Sequence, residues 1–269
     1  MESVDFSSKA SRYNKTSLVQ KAAGDRLIEL LSIHNNVDVL DLGCGSGGIT
    51  SKIAALTSGK VLGLDLSEGM IDEARRRYNL TANLGFMVGD VAELEFTDEF
   101  DRIYCNSAFQ WFIEPRKTLT KCYKALKPGG LMGIQATATE DYCPQFLYAV
   151  RKLAKHPRTS EIFASFISPW LFLNDADEYG KLFEGAGFSI EYSRLATERS
   201  LYTVDQAYGV FQSGAENGYL NQAYYMLDFD KSYVQTCRSL IKTAFHDLAD
   251  EKGMVELTFN RVYLIVRKD

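Results

Sequence analysis

Residues 37–50 read VDVLDLGCGSGGIT, and the fold turns on them. Val37, Val39, Leu40 and Leu42 form a short apolar run broken by Asp38 and Asp41. Gly43, Gly45, Gly47 and Gly48 follow, and Ile49, Ile53 and Leu56 then resume at helical spacing. Strand, glycine turn and helix together bring backbone N–H groups close to a ligand. Gly43-x-Gly45-x-x-Gly48 also satisfies the dinucleotide fingerprint, so the glycines leave two ligand classes open. Asp41 separates them: a carboxylate ending the first strand would repel a diphosphate and suits a ligand with a positive amino group.

Two more acids follow the same plan. Residues 60–64 read as a second strand ending at Asp65, whose two oxygens can accept both hydroxyls of a ribose. Dinucleotide enzymes use that device too, so Asp65 indicates an adenosine ligand without naming it. Leu66 and Met70 either wall an adenine slot or pack in the core. Residues 84–88 read as a third strand before Gly89-Asp90-Val91, where the Asp90 carboxylate and the Val91 N–H can read an adenine edge.

Asp41-x-Gly43-x-Gly45-x-Gly47, Asp65 and the Gly-Asp-Val after strand three together resemble the motifs of class I S-adenosylmethionine-dependent methyltransferases. The resemblance implies a Rossmann-like α/β fold. Its sheet has seven mostly parallel strands, the last antiparallel, with helices on both faces and here a helical cap. S-adenosylmethionine is the implied cofactor and S-adenosylhomocysteine the product. Residues 100–105 give strand four, and the following Asn106-Ser107-Ala108-Phe109-Gln110-Trp111 resembles the trans-aconitate and biotin-pathway malonyl-carrier-protein methyltransferase group. Asn106 is expected to contact the cofactor, with Phe109 and Trp111 shaping the acceptor pocket; for Trp111, packing between loop and lid is an equal alternative. Asn106-Ser107-Ala108-Phe109 lacks the prolines of the Asn/Asp-Pro-Pro-aromatic tetrad that amino-methylating nucleic-acid enzymes carry there, a departure that argues against a nucleobase acceptor. The lead-in FSSKASRYNKTSLVQ is similar to the same group, where an aromatic arm crosses the cofactor, and Tyr13 is its counterpart.

The rest of the chain supplies a frame. Residues 1–36 are read as an arm and helix, 37–136 as the cofactor-binding core, and 174–202 with 251–269 as the remainder of the sheet. Residues 137–173 and 203–250 are helical insertions, the second forming an acceptor cap. A helix over 114–126 ends at Lys127-Pro128-Gly129-Gly130, and strands are expected over 131–136, 188–195 and 254–266.

Composition narrows the class. With 269 residues, 46% hydrophobic, the chain can bury a substantial core, and its net charge of −5 leaves no footprint for nucleic acid. No run reaches membrane-spanning length, and five cysteines without a CxxC pair fit a reduced, cytoplasmic setting. His34, His156 and His246 lie far apart, so no metal is expected. No general base stands out, which favours an acceptor that is already nucleophilic, such as a small-molecule carboxylate forming a methyl ester. A cation would anchor it, and Arg151, Lys152, Lys155, Arg158, Arg194 and Arg199 are the candidates. A carrier-bound acyl group docking on the 151–158 basic run, and a catalytically silent cofactor-binding protein, are the alternatives. Oligomeric state is not legible.

Overall fold

The computed structural model describes the backbone from residue 18 to 269 and side chains from residue 23. Seven strands form one sheet: β1 (Val39–Leu42), β2 (Val61–Asp65), β3 (Leu84–Val88), β4 (Phe100–Asn106), β5 (Leu126–Thr137), β6 (Ser189–Thr203) and β7 (Met254–Arg267). Their order is β3-β2-β1-β4-β5-β7-β6, with β7 antiparallel to both neighbours and the other pairs parallel. The seven-stranded Rossmann-like sheet implied by the sequence is therefore present. All four residues of β1 are buried, as expected for a central parallel strand with both faces covered. β1 lies between β2 and β4, so the strand order reverses there and a crevice opens beyond the carboxyl ends of β1 and β4.

On one face, α1 (Leu18–Leu30) and α2 (Gly48–Ala54) cover the sheet through Leu27, Leu31, Val39, Ile53, Tyr104 and Ile265. On the other, α4 (Pro115–Ala125) and α7 (Ala176–Glu184) bury Leu119, Cys122, Tyr179 and Phe183 against Leu40, Ile103, Met132 and Leu264. Helix α3 (Glu68–Tyr78) follows β2 and is capped by Ser67, whose hydroxyl accepts from the Met70 N–H.

Two strands run longer than their patterns predict. β5 begins at Leu126, before the Lys-Pro-Gly-Gly turn, because the Gly129 N–H donates to the Lys268 carbonyl and the Lys268 N–H to that of Gly130. Gly129 takes φ +75°, and the turn stays bound to the sheet instead of leaving it. β6 continues to Thr203, paired with β7 throughout, where the sequence suggests an end near residue 195. This two-stranded ribbon rises past the other strands and carries the remaining helices, α5 (Pro144–Lys155), α6 (Ser160–Phe163), α8 (Val204–Ser213), α9 (Glu216–Tyr219) and α10 (Lys231–Asp247). They enclose a separate cluster built on Phe146, Leu153, Phe211, Ile241 and Phe245, seated on Val255, Leu257 and Phe259 of β7.

Candidate active site

The chain leaves β1 through backbone that only glycine adopts at low cost. Gly43 and Gly45 take φ of +71° and +54°. The N–H groups of Gly43 and Cys44 both donate to the Leu64 carbonyl, at 2.8 and 3.0 Å, which ties the turn to β2. A Cβ at Gly43 would lie 2.4 Å from that of Ala108, so the loop after β4 presses directly on this position. At Gly45 a Cβ would meet nothing within 4 Å, so its backbone faces open space.

Two of the three predicted acids converge on that opening. Asp41 is only 3% exposed and accepts a 2.7 Å hydrogen bond from the Thr50 hydroxyl. Burial pushes its pKa up to about 7; the Thr50 hydrogen bond opposes the shift and the Asp65 charge adds to it. Asp65 accepts from the Gly45 N–H at 2.8 Å through one oxygen and from the Ser67 N–H at 2.9 Å through the other. Burial raises its pKa as well, and those two N–H groups counter the shift. An ionised carboxylate has about four acceptor positions, so both oxygens of this fixed group retain capacity for a further donor.

Leu66 is 51% exposed, whereas Met70 is buried in α3, a core position and not a pocket wall. Asp90 is exposed and caps a 3-10 turn, Val91–Glu93, by accepting from the Ala92 N–H at 2.9 Å. Val91 is half-buried against the core. Tyr13 lies outside the described residues.

Beyond β4, Asn106 is half-buried at the crevice. Ser107 takes φ +57° and is held to Gln135 of β5 by its N–H at 2.7 Å and its hydroxyl at 3.1 Å. Gly24 of α1 reaches the same point: the Tyr104 hydroxyl donates to its carbonyl at 3.1 Å, and a Cβ there would approach the Asn106 amide nitrogen to 3.4 Å. Phe109 departs from its expected part. It is fully buried among Phe112, Tyr179 and Phe183, so it anchors the loop in the core and shapes no pocket. Trp111 is half-buried and meets Trp170 edge-on, ring centroids 5.5 Å apart. Between them, the Gln110 side-chain amide donates to the Ser107 carbonyl, and the Gln110 backbone carbonyl accepts from the Leu171 N–H.

Residues 39–130 match the family described as methyltransferase domain. That stretch of the chain is thus similar to a methyltransferase domain. Curated relatives include the malonyl-[acyl-carrier protein] O-methyltransferase of Acetivibrio thermocellus, 32% identical over 130 residues (47% of this chain and 46% of that protein). The trans-aconitate 2-methyltransferase of Deinococcus radiodurans is 33% identical over 132 residues, 49% of this chain and 50% of that one. The chain thus spans about half the length of these curated relatives. Among solved structures, phosphoethanolamine N-methyltransferase 2 of Haemonchus contortus, in complex with S-adenosyl-L-methionine, aligns with TM-score 0.58 at 17% identity. That alignment covers 97% of this chain and 57% of the other. A SAM-dependent methyltransferase of Aquifex aeolicus aligns with TM-score 0.52 at 20% identity, over 70% of this chain and 90% of that one. At these identities the two structures speak to the fold alone.

Beyond that stretch the predicted cations do not line a site. Arg151, Lys155, Arg158, Arg194 and Arg199 are all exposed. Lys152 pairs with Asp247 at 2.7 Å, and Arg158 donates to the Ser232 hydroxyl at 3.0 Å. Arg194 and Arg199 lie on β6, an edge strand of the sheet, and Arg151, Lys152 and Lys155 on an amphipathic cap helix, positions that leave long cations in water.

A cation that the sequence reading passed over is buried instead. Arg261 of β7 is 2% exposed and stands opposite Thr137 of β5 and Ala196 of β6. Its Nε lies 2.9 Å from a Glu198 carboxylate oxygen, and the Tyr263 hydroxyl donates to the other oxygen of Glu198 at 2.5 Å. Asn106, Gln135 and Tyr263 form one row across β4, β5 and β7, and Arg261 sits two residues beyond it, opposite Thr137. Two strand spacings place it roughly 10 Å across the sheet from the expected methyl site. The signal was available: an arginine interrupts the apolar run of the last strand. Among the described residues, no cluster of three metal-ligating side chains occurs and no helix is long and apolar enough to cross a membrane.

Proposed function

We propose that the protein is a methyltransferase that uses S-adenosylmethionine to methylate a small carboxylic acid, forming a methyl ester. The observation that carries this reading is the open backbone of Gly45 bracketed by Asp41 and Asp65. Asp65, already fixed by two N–H groups, would take the ribose hydroxyls. The buried Asp41 would answer the cofactor's amino group, whose positive charge offsets the cost of ionising a carboxylate there. Asp90 and the Val91 N–H would read the adenine, with Leu66 alongside, Gly43 shaping the turn, and Asn106 bordering the sulfonium end. Tyr13 is proposed as a lid over the same ligand. The cofactor supplies the reactive methyl carbon when bound. The protein supplies alignment for in-line displacement and shelter from water.

Arg261 supports the carboxylate reading. It is a buried guanidinium at the carboxyl edge of β5, two residues beyond the row of Asn106, and its planar fork, already facing Glu198 through Nε, suits a carboxylate. A carboxylate is ionised at neutral pH and requires no base. The relatives' names favour one variant of this proposal, an acyl chain carried on a partner protein, with the exposed Arg151, Lys155 and Arg158 as the contact for an acidic carrier. Transfer of labelled methyl from S-adenosylmethionine to a panel of carboxylic acids tests the proposal. Label released by mild alkali is the expected result. Alkali-stable label, or none on any acid, would remove the ester-forming reading.

A further inference from the structure

The cap holds a cavity that neither the cofactor nor Arg261 accounts for. Its volume is about 320 Å³, and Tyr142, Phe166, Trp170, Phe172 and Tyr219 wall it, with Leu147 as an aliphatic side and Ser168 and Glu140 at its rim. The rings are held by one another: Tyr142 and Phe172 stack at 5.1 Å, and Trp170 meets Tyr219 edge-on at 4.8 Å. Trp170 lies so close over Gly218 that a Cβ there would come within 2.2 Å of the indole. These contacts preform the cavity before any ligand arrives. The same Trp170 meets Trp111 of the loop after β4, ring centroids 5.5 Å apart, so the cavity lies beside the loop that leaves β4.

Resting on the function proposed above, we infer that this cavity receives the non-reacting end of the methyl acceptor, and that this end is an uncharged apolar ring or chain. Its walls are aromatic and aliphatic, and among the described residues the only charged one lining it is the carboxylate of Glu140. An anionic tail would meet that negative charge with no lining cation to answer it. The acceptor is then a monocarboxylic acid with an apolar tail on the order of ten non-hydrogen atoms, judged from roughly 30 Å³ per water-sized group. A compact di- or tricarboxylic acid does not fit.

The protein reports on this cavity by itself, because its two tryptophans are Trp111 and Trp170. The full chain is saturated with S-adenosylhomocysteine, whose binding is measured separately by calorimetry, and its tryptophan emission is followed against 4-phenylbutyrate, malonate and choline. A saturable response to 4-phenylbutyrate alone is expected. Ser168→Phe, which fills the rim, and Leu147→Phe, which fills the opposite wall, should each weaken it about tenfold or more with cofactor affinity intact. Saturation by malonate or choline, no response to 4-phenylbutyrate, or affinity in both filled variants equal to that of the parent protein would overturn the inference. Failure of the calorimetric step would count against the methyltransferase proposal instead.

Discussion

The turn after β1 and the cavity in the cap are built on opposite plans. At the turn, Asp41, Gly43, Gly45 and Asp65 lie within 25 positions of one another, and backbone geometry sets them. At the cap cavity, Tyr142, Trp170 and Tyr219 come from three separate segments, and side-chain contacts bring their rings together. The first plan is local and tolerates little change. The second depends on the integrity of a cluster that could be refilled for another acceptor without disturbing the sheet. On the function proposed above, cofactor binding would sit in one part of the chain and specificity in the other.

The largest effect should come from opening the cap. Phe146 is buried where α5 meets Phe211, Phe245 and Phe259. Phe146→Ala should lower unfolding free energy by about 3–5 kcal/mol in denaturant titrations. Below the transition, affinity for S-adenosylhomocysteine should match that of the parent protein. Lost cofactor binding in a folded variant would show that the two regions are coupled after all.

A smaller effect, confined to the turn, follows from Asp41. Its folded pKa of about 7 lies above the unfolded value, so ionising it costs stability. That penalty is complete above pH 7 and disappears as pH falls towards the unfolded value near 4. A cationic ligand reverses the preference and favours the ionised form. Affinity for S-adenosylhomocysteine should therefore fall up to about tenfold per unit below pH 7 and level off above it. Binding in that acid range should release a proton. Asp41→Asn should abolish the proton release, read by calorimetry in buffers of different ionisation enthalpy, and an unchanged pH profile in that variant would assign the titration elsewhere. The smallest effect belongs to the exposed cations: Arg194→Ala and Arg199→Ala should change stability by no more than about 0.5 kcal/mol. They should also leave methyl transfer to small acids unaltered, and a raised KM would return them to the acceptor site.

The same contrast explains what could be read in advance. Strand ends punctuated by acids, and glycines at fixed offsets, are short-range features, and β1 to β4 appear within a residue or two of where their patterns place them. The Asp41–Thr50 and Asp65–Gly45 contacts lie inside the same supersecondary units as the motif. Phe109 was misread because its burial is set by Tyr179 and Phe183, which follow it by 70 or more positions. The early start of β5 depends on bonds to Lys268, and the length of β6 on pairing with β7, neither of which local periodicity can encode. Arg261 was legible as an oddity in an apolar strand, but its partner Glu198 becomes visible only in the ladder.

The central claim is that the Gly45 opening flanked by two acids holds the cofactor, and Asp65 tests it most directly. Calorimetric titration of the parent protein and of Asp65→Ala with S-adenosylhomocysteine should show one site in the first. Loss of hydrogen bonds to an ionised group should weaken the second by about 1.5–3 kcal/mol, or roughly 10- to 100-fold. Equal affinity in the two proteins, with both folded, would contradict the assignment and move the cofactor away from this turn.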